Sequence, residues 1–293
     1  MIAADAGHPG TVVVMNTRGI TTKKIDDTTV AVTVQTGHPL ADLVQWAATE
    51  RLAGIECLAN IPGTVGAAPV QNAGAYGQQT SDTLHSVTAW DWSTGCRKTL
   101  LAQACRLRYR DSRFKETAGR WTILTATLHL TRTPAAITYH PLADELGIPV
   151  GARPTVSEVT EAVLANRNRR GLLLDRTGPD ARQVGSVFLN PRVNTAQARR
   201  WSDLGCPVRR DSDGELRASA GWLLELVGCR AGRTIADGVR CSDRRALTIT
   251  AHGEATAAGF DRALASLSTQ VRSATGISLQ PEPTRVGRWA GSP

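Results

Sequence analysis

The segment 61–77, IPGTVGAAPVQNAGAYG, places four glycines and two prolines in seventeen residues. No regular helix or strand tolerates that density. Each proline removes a backbone donor, and each glycine adds entropy that ordering must overcome. The fold must therefore be built around an irregular stretch that leaves backbone accessible. Small residues let a flat or phosphorylated ligand approach the chain and bond to its N–H groups. A plain cluster of structural turns meets the same pattern. The stretch is not a dinucleotide-binding fingerprint, since no GxGxxG joins a strand to a helix, and no GK[ST] marks a phosphate-binding P-loop.

Regular elements flank it. TVVVM (11–15), VAVTV (30–34), SVTAWDW (86–92) and WTILTATLHL (121–130) read as strands from their β-branched or alternating patterns. Residues 39–52 change period: Leu40, Leu43, Val44, Ala47 and Ala48 recur at helical spacing, and Gly54 offers a stop. After the connector 131–141 the texture shifts. Helices are expected over 156–171, 221–229 and 255–276, with strands over 184–191 and 246–253. Strands first and mixed elements later predict an α+β protein of two lobes with a border near residue 134.

A chain of 293 residues with 41% hydrophobic residues buries a core without metal or disulfide staples. The net charge is +8, and four lysines stand against thirty arginines spread along the chain. That scatter favours a compositional bias over a nucleic-acid surface, and no nucleic-acid motif accompanies it. No uninterrupted apolar run long enough to span a bilayer occurs, and MIAADAGHPG lacks the features of a secretory signal. The six cysteines show no CxxC and no histidine at ligand spacing, so free thiols in a reducing cytoplasm are expected and no metal site.

Four groups carry candidate chemistry. In Tyr109-Arg110-Asp111-Ser112, the guanidinium of Arg110 suits a carboxylate, with Asp111 placed to orient it; a surface ion pair is the plainer account. In Gly185–Pro191, GSVFLNP, Ser186 is either a turn residue or a proton donor. Glu282, between Pro281 and Pro283, is stiffly held, as suits a positioned acid or a rigid turn. The three tyrosines, Tyr76, Tyr109 and Tyr139, all lie in irregular polar stretches.

The order of these motifs is more specific than any one of them. GIECLANIPGTVGAAPVQNAGAYGQ, YRDSRFK, GSVFLNP, SAGWLLE and PEP followed by VG resemble the UDP-N-acetylenolpyruvoylglucosamine reductase (MurB) family from about residue 5 to residue 287. The resemblance implies an FAD-binding lobe of the vanillyl-alcohol-oxidase (PCMH) type over 1–134. A substrate-binding α+β lobe over 135–287 and a tail over 288–293 complete the division. It implies NADPH as reductant, UDP-N-acetylglucosamine enolpyruvate as substrate, a place in peptidoglycan synthesis, and no nucleic-acid or membrane partner. Arg110 matches the arginine that polarises the substrate carboxylate, Ser186 the proton donor, and Glu282 the glutamate that assists enolate stabilisation. Tyr139, Arg167, Arg170 and Asn190 match substrate-binding positions. Ile61, Pro62, Gly63, Gly66, Ala67, Ala68, Asn72, Gly74, Ala75 and Tyr76 would line the flavin.

Departures from the pattern are Arg170 where a lysine is usual, Leu189 where lysine or threonine is common, and the spacing around Thr284-Arg285. Family members also carry a first flavin subdomain, ending in a glycine loop for the FAD diphosphate, before the equivalent of Ala4. The expectation is a start assigned too far downstream or a genuine truncation. The second would make the chain a non-catalytic paralogue that binds a UDP-sugar or a partner chain.

Overall fold

The structure, a computed structural model, describes residues 1–175 and 177–289. Of the expected tail, 290–293 lie outside the described residues. The chain divides into two compact units, one of residues 14–168 and one joining residues 1–13 to 169–293.

In the unit 14–168, five strands form an antiparallel sheet in the order Ile20–Lys24, Thr29–Gln35, Trp121–Thr131, Leu84–Asp91, Cys96–Leu101. Thr29–Gln35 sits inside the sheet and buries Val30, Ala31, Val32 and Val34, as its β-branched run predicts. The edge strand Ile20–Lys24 is largely exposed and carries Lys23 and Lys24, charges that discourage pairing with another chain. The helix Leu40–Thr49 buries Leu40, Leu43, Val44, Ala47 and Ala48, the stripe read from its spacing, in the same core as Val32 and Val34. Burial of each large aliphatic side chain is worth about 1.5–3 kcal/mol.

Two expectations are corrected here. TVVVM forms no strand, and Val12, Val13 and Val14 are 68%, 77% and 79% exposed. β-Branched composition favours an extended chain, but a strand also needs a partner for its N–H and C=O groups. The packing also does not divide near residue 134. Ile137, Leu142, Ala143, Val159 and Val163 lie in the core of the preceding sheet. The apolar faces of the helices His140–Leu146 and Val156–Arg169 are thereby used up, and the unit closes only at Asn168.

The second unit holds a four-stranded antiparallel sheet in the order Thr234–Ala236, Val239–Ser242, Arg245–Ala251, Gln183–Ser186. The helix Ala257–Thr275 buries Phe260, Ala263, Leu264, Leu267 and Val271 in the same core as Val239 and Ile249. Thr256 caps its start by accepting from Gly259 N, and Gly276 ends it in the left-handed conformation. The first residues of the chain pack in this unit. Ile2–Ala3 pairs in parallel with Arg285–Val286, and the Asp5 carboxylate accepts from Ala257 N and Ala258 N at the helix start.

Candidate active site

The glycine-rich segment is laced to the end of one strand and the start of one helix. Gly66 N donates to Thr36 O at 2.9 Å, Val65 N to His38 O at 2.8 Å, and Leu40 N to Gly63 O at 3.0 Å. A Cβ added at Gly66 would stand 1.6 Å from Thr36 Oγ1, so only glycine fits this close approach. Val65, Gly66, Ala68 and Pro69 are buried, whereas Pro62, Gly63 and Ala67 are exposed. The segment therefore has a packed side and an open side made of small residues.

Residues 108–112 clamp the far end of this segment. Asn72, 1% exposed, donates through Nδ2 to Arg108 O at 3.1 Å and accepts on Oδ1 from Ser81 N at 2.9 Å. Ser112 donates from Oγ to Val70 O at 2.6 Å and caps the short helix Arg113–Glu116. Arg110 donates from Nη1 to Asn72 O at 3.1 Å and from Nη2 to Gly74 O at 2.5 Å. Asp111 pairs with Arg108 at 3.0 Å, the ion pair that the plainer account of this motif expects. Two main-chain carbonyls of the glycine-rich turn thus help to orient Arg110.

Tyr76 and Tyr139 meet edge to face, with ring centroids 6.3 Å apart. The Tyr76 hydroxyl donates to Asn166 Oδ1 at 2.9 Å, and Asn166 Nδ2 donates to Glu145 Oε2 at 2.8 Å. Arg167 is 6% exposed and donates from Nη2 to Asn60 O at 3.1 Å, tying its helix to the turn before the glycine-rich segment. Arg170 belongs to the other unit and is exposed.

In that unit Ser186 and Glu282 are neighbours through the backbone. Val187 N donates to Leu247 O at 3.1 Å, Glu282 N to Val187 O at 2.9 Å, and Leu189 N to Gln280 O at 3.0 Å. Phe188, 1% exposed, anchors this short ladder. Ser186 Oγ accepts from Arg245 Nη1 at 3.0 Å. Asn190 Oδ1 accepts from Ala220 N at 3.0 Å, which commits its amide oxygen to the start of the helix Ala220–Leu226. Sequence reasoning missed Arg245, which is one arginine among thirty and stands in no motif. The structure thus joins Arg110 to the glycine-rich segment and Ser186 to Glu282, on separate units.

The residues of the glycine-rich segment fit a flat cofactor. Gly63, at φ +121°, has no heavy atom within 4 Å of the place a Cβ would take, and it stands on the open side between exposed and small neighbours. Planar rings pack on such backbone where side chains would hold them off. Among the described residues, no group of three histidine, cysteine, aspartate or glutamate side chains is placed to hold a metal ion. Among the described helices, none is long and apolar enough to cross a membrane.

Comparison with known proteins bears on both units. Residues 2–100 match the family model described as "FAD binding domain". Residues 178–286 match the one described as "UDP-N-acetylenolpyruvoylglucosamine reductase, C-terminal domain". The UDP-N-acetylenolpyruvoylglucosamine reductase of Salinispora arenicola is 36% identical over 98% of this chain and 81% of its own length. That of Pseudomonas aeruginosa is 39% identical over 87% of this chain and 74% of its own length. The crystal structure of UDP-N-acetylenolpyruvylglucosamine reductase from Thermus caldophilus shares the fold. It aligns at a TM-score of 0.54 with 21% identity, covering 87% of this chain and 72% of that one.

Proposed function

The chain belongs to the UDP-N-acetylenolpyruvoylglucosamine reductase family, and on that premise we propose that it reduces UDP-N-acetylglucosamine enolpyruvate to UDP-N-acetylmuramate. It is a flavin oxidoreductase that uses FAD and consumes NADPH. The reaction serves peptidoglycan precursor synthesis, and with it cell shape and division, in the cytoplasm. When bound, FAD reduced by NADPH would supply the hydride for C3 of the enolpyruvyl group. Ile61, Pro62, Gly63, Ala67, Gly74, Ala75 and Tyr76 would hold it from the open side of the segment, and the buried Gly66, Ala68 and Asn72 would keep that side in shape.

The protein's own side chains handle charge and the proton. When hydride adds to C3, negative charge develops on the carboxylate as an enolate. A guanidinium aimed there lowers the barrier, and it does so best when already oriented. Arg110 meets that condition, because two carbonyls of the glycine-rich turn fix its plane. Ser186 gives its Oγ proton to C2, and Glu282, next to it on the backbone ladder, supports the enolate form. Tyr139, Arg167, Arg170 and Asn190 are assigned to substrate binding. The contacts of Arg167 to Asn60 and of Asn190 to Ala220 give both a second, architectural part.

One observation carries this reading: the arginine assigned to the substrate carboxylate is bonded to the same turn that is assigned to the flavin. NADPH oxidation in the presence of the enolpyruvyl substrate tests it. Arg110→Ala and Ser186→Ala are each expected to lower kcat by at least about 10²-fold, the usual loss for one preorganised charge-stabilising or proton-transferring group. Unchanged turnover in either variant would overturn the role given to that residue.

A further inference from the structure

Ser186 and Arg245 lie in adjoining strands of one sheet. The register sets Ser186 opposite Thr248, three residues beyond the arginine. Arg245 therefore reaches back along the sheet to place Nη1 3.0 Å from Ser186 Oγ. The strand register does not depend on this bond, since Val187 N to Leu247 O and Glu282 N to Val187 O already fix the segment.

A guanidinium carries donors only. The bond therefore occupies a lone pair of Oγ and cannot take the serine hydrogen, which is left for a different acceptor. As that hydrogen leaves, Oγ becomes negative. An N–H already in place on the oxygen stabilises the charge with no reorganisation.

We propose that Arg245 is a positioning residue for protonation at C2: it holds Ser186 Oγ by a lone pair, turns the hydroxyl hydrogen toward the substrate, and stabilises the oxygen as the proton departs. The proposal rests on the reading of Ser186 as proton donor. The balance is closed. The enolate electron pair forms the new C2–H bond, the Oγ–H bond breaks, the hydride at C3 derives from NADPH, and solvent returns a proton to the serine. Neither an added oxidant nor an added reductant is needed.

The test uses the full chain loaded with FAD and the variants Arg245→Gln, Arg245→Lys, Ser186→Ala and the double variant S186A/R245Q. Flavin reduction by NADPH, substrate reduction in a single turnover, and calorimetric binding of UDP-N-acetylmuramate are measured separately. Arg245→Gln is expected to slow substrate reduction about 10²-fold, the usual loss for one donor on a developing oxyanion. Flavin reduction and product affinity stay at wild-type values. Arg245→Lys, which keeps the charge and loses the fork, recovers part of the rate. It also carries the comparison if Arg245→Gln does not fold. On the Ser186→Ala background, Arg245→Gln adds no further loss, because the two act as one unit. An equal loss on both backgrounds, or a fall in product affinity with the rate intact, overturns the proposal. Full activity in Ser186→Ala alone instead removes the donor reading beneath it.

Discussion

Three of the residues around the glycine-rich turn hold backbone conformations that side chains avoid: Asn72 at φ +42°, Tyr76 at +51° and Arg110 at +54°. For Tyr76 and Arg110 this costs about 1–2 kcal/mol relative to a right-handed conformation, and less for Asn72, whose short amide tolerates the left-handed region. The surrounding bonds repay that cost, with Asn72 and Ser112 both buried and fully engaged. Strain concentrated in this way marks a turn whose shape is specified by more than folding requires. At the same scale, His85 and His129 stack with centroids 4.1 Å apart. Partial burial, and then the neighbouring His85, push the His129 pKa below its ordinary 6.5. The folded protein therefore binds this proton less readily than the unfolded chain. Its contribution is complete above the unfolded value and is lost as pH falls through it toward the folded value. The melting temperature should drop between about pH 7 and pH 5, and His129→Gln should flatten that drop. An identical slope in the variant would show that the pair does not set it.

At the scale of elements, the end of the strand Leu84–Asp91 is locked by a buried carboxylate. Asp91 is fully buried and accepts from Arg120 Nε at 3.0 Å and Nη2 at 2.9 Å, from Lys98 Nζ at 2.9 Å, and from Ser93. The Arg120 bonds, ahead of the others, hold its carboxyl well below the usual carboxylate range. A depressed carboxyl stabilises the fold above the unfolded value of about 3.9 and ceases to do so as pH falls toward the folded one. Arg120→Met leaves the buried carboxylate to Lys98 and Ser93 alone, so its urea midpoint should lie below the wild type at neutral pH. The gap should narrow as the solution is taken below about pH 4. A gap of constant size across that range would mean that Arg120 acts through packing on Trp121, whose ring it overlies at 4.8 Å.

Over the whole molecule, both ends of the chain complete one unit. Ile2–Ala3 pairs with Arg285–Val286, and Asp5 satisfies the first backbone donors of the helix Ala257–Thr275. Those two backbone bonds hold the Asp5 carboxyl below its ordinary range. Unsatisfied donors at a helix start fray it. Asp5→Ala should therefore raise amide exchange over 257–260 and leave the strand Thr29–Gln35 unaffected. Faster exchange in that strand as well would mean that the substitution loosens both units, contrary to the division seen here.

The elements whose patterns concern only their own residues were legible along the chain. The helix stripe from Leu40 to Ala48, the alternating strands, and the long helix ending at Gly276 all follow from a period and a stop signal. The order of the motifs around Gly66, Arg110, Ser186 and Glu282 was enough to point to the family that relatives over most of the chain establish. Partnership was not legible. TVVVM reads as a strand because its residues favour extension, yet pairing depends on a neighbour distant in sequence. Residues 135–168 read as the start of a second lobe because their texture changes, yet burial of their apolar faces placed them in the first core. Asp111 stands beside Arg110 in sequence and pairs with Arg108. Arg245 became visible only when two strands set its guanidinium on the serine. Composition and spacing dictate what each segment can become; tertiary packing decides which surfaces meet, because the free energy of a contact belongs to both of its sides.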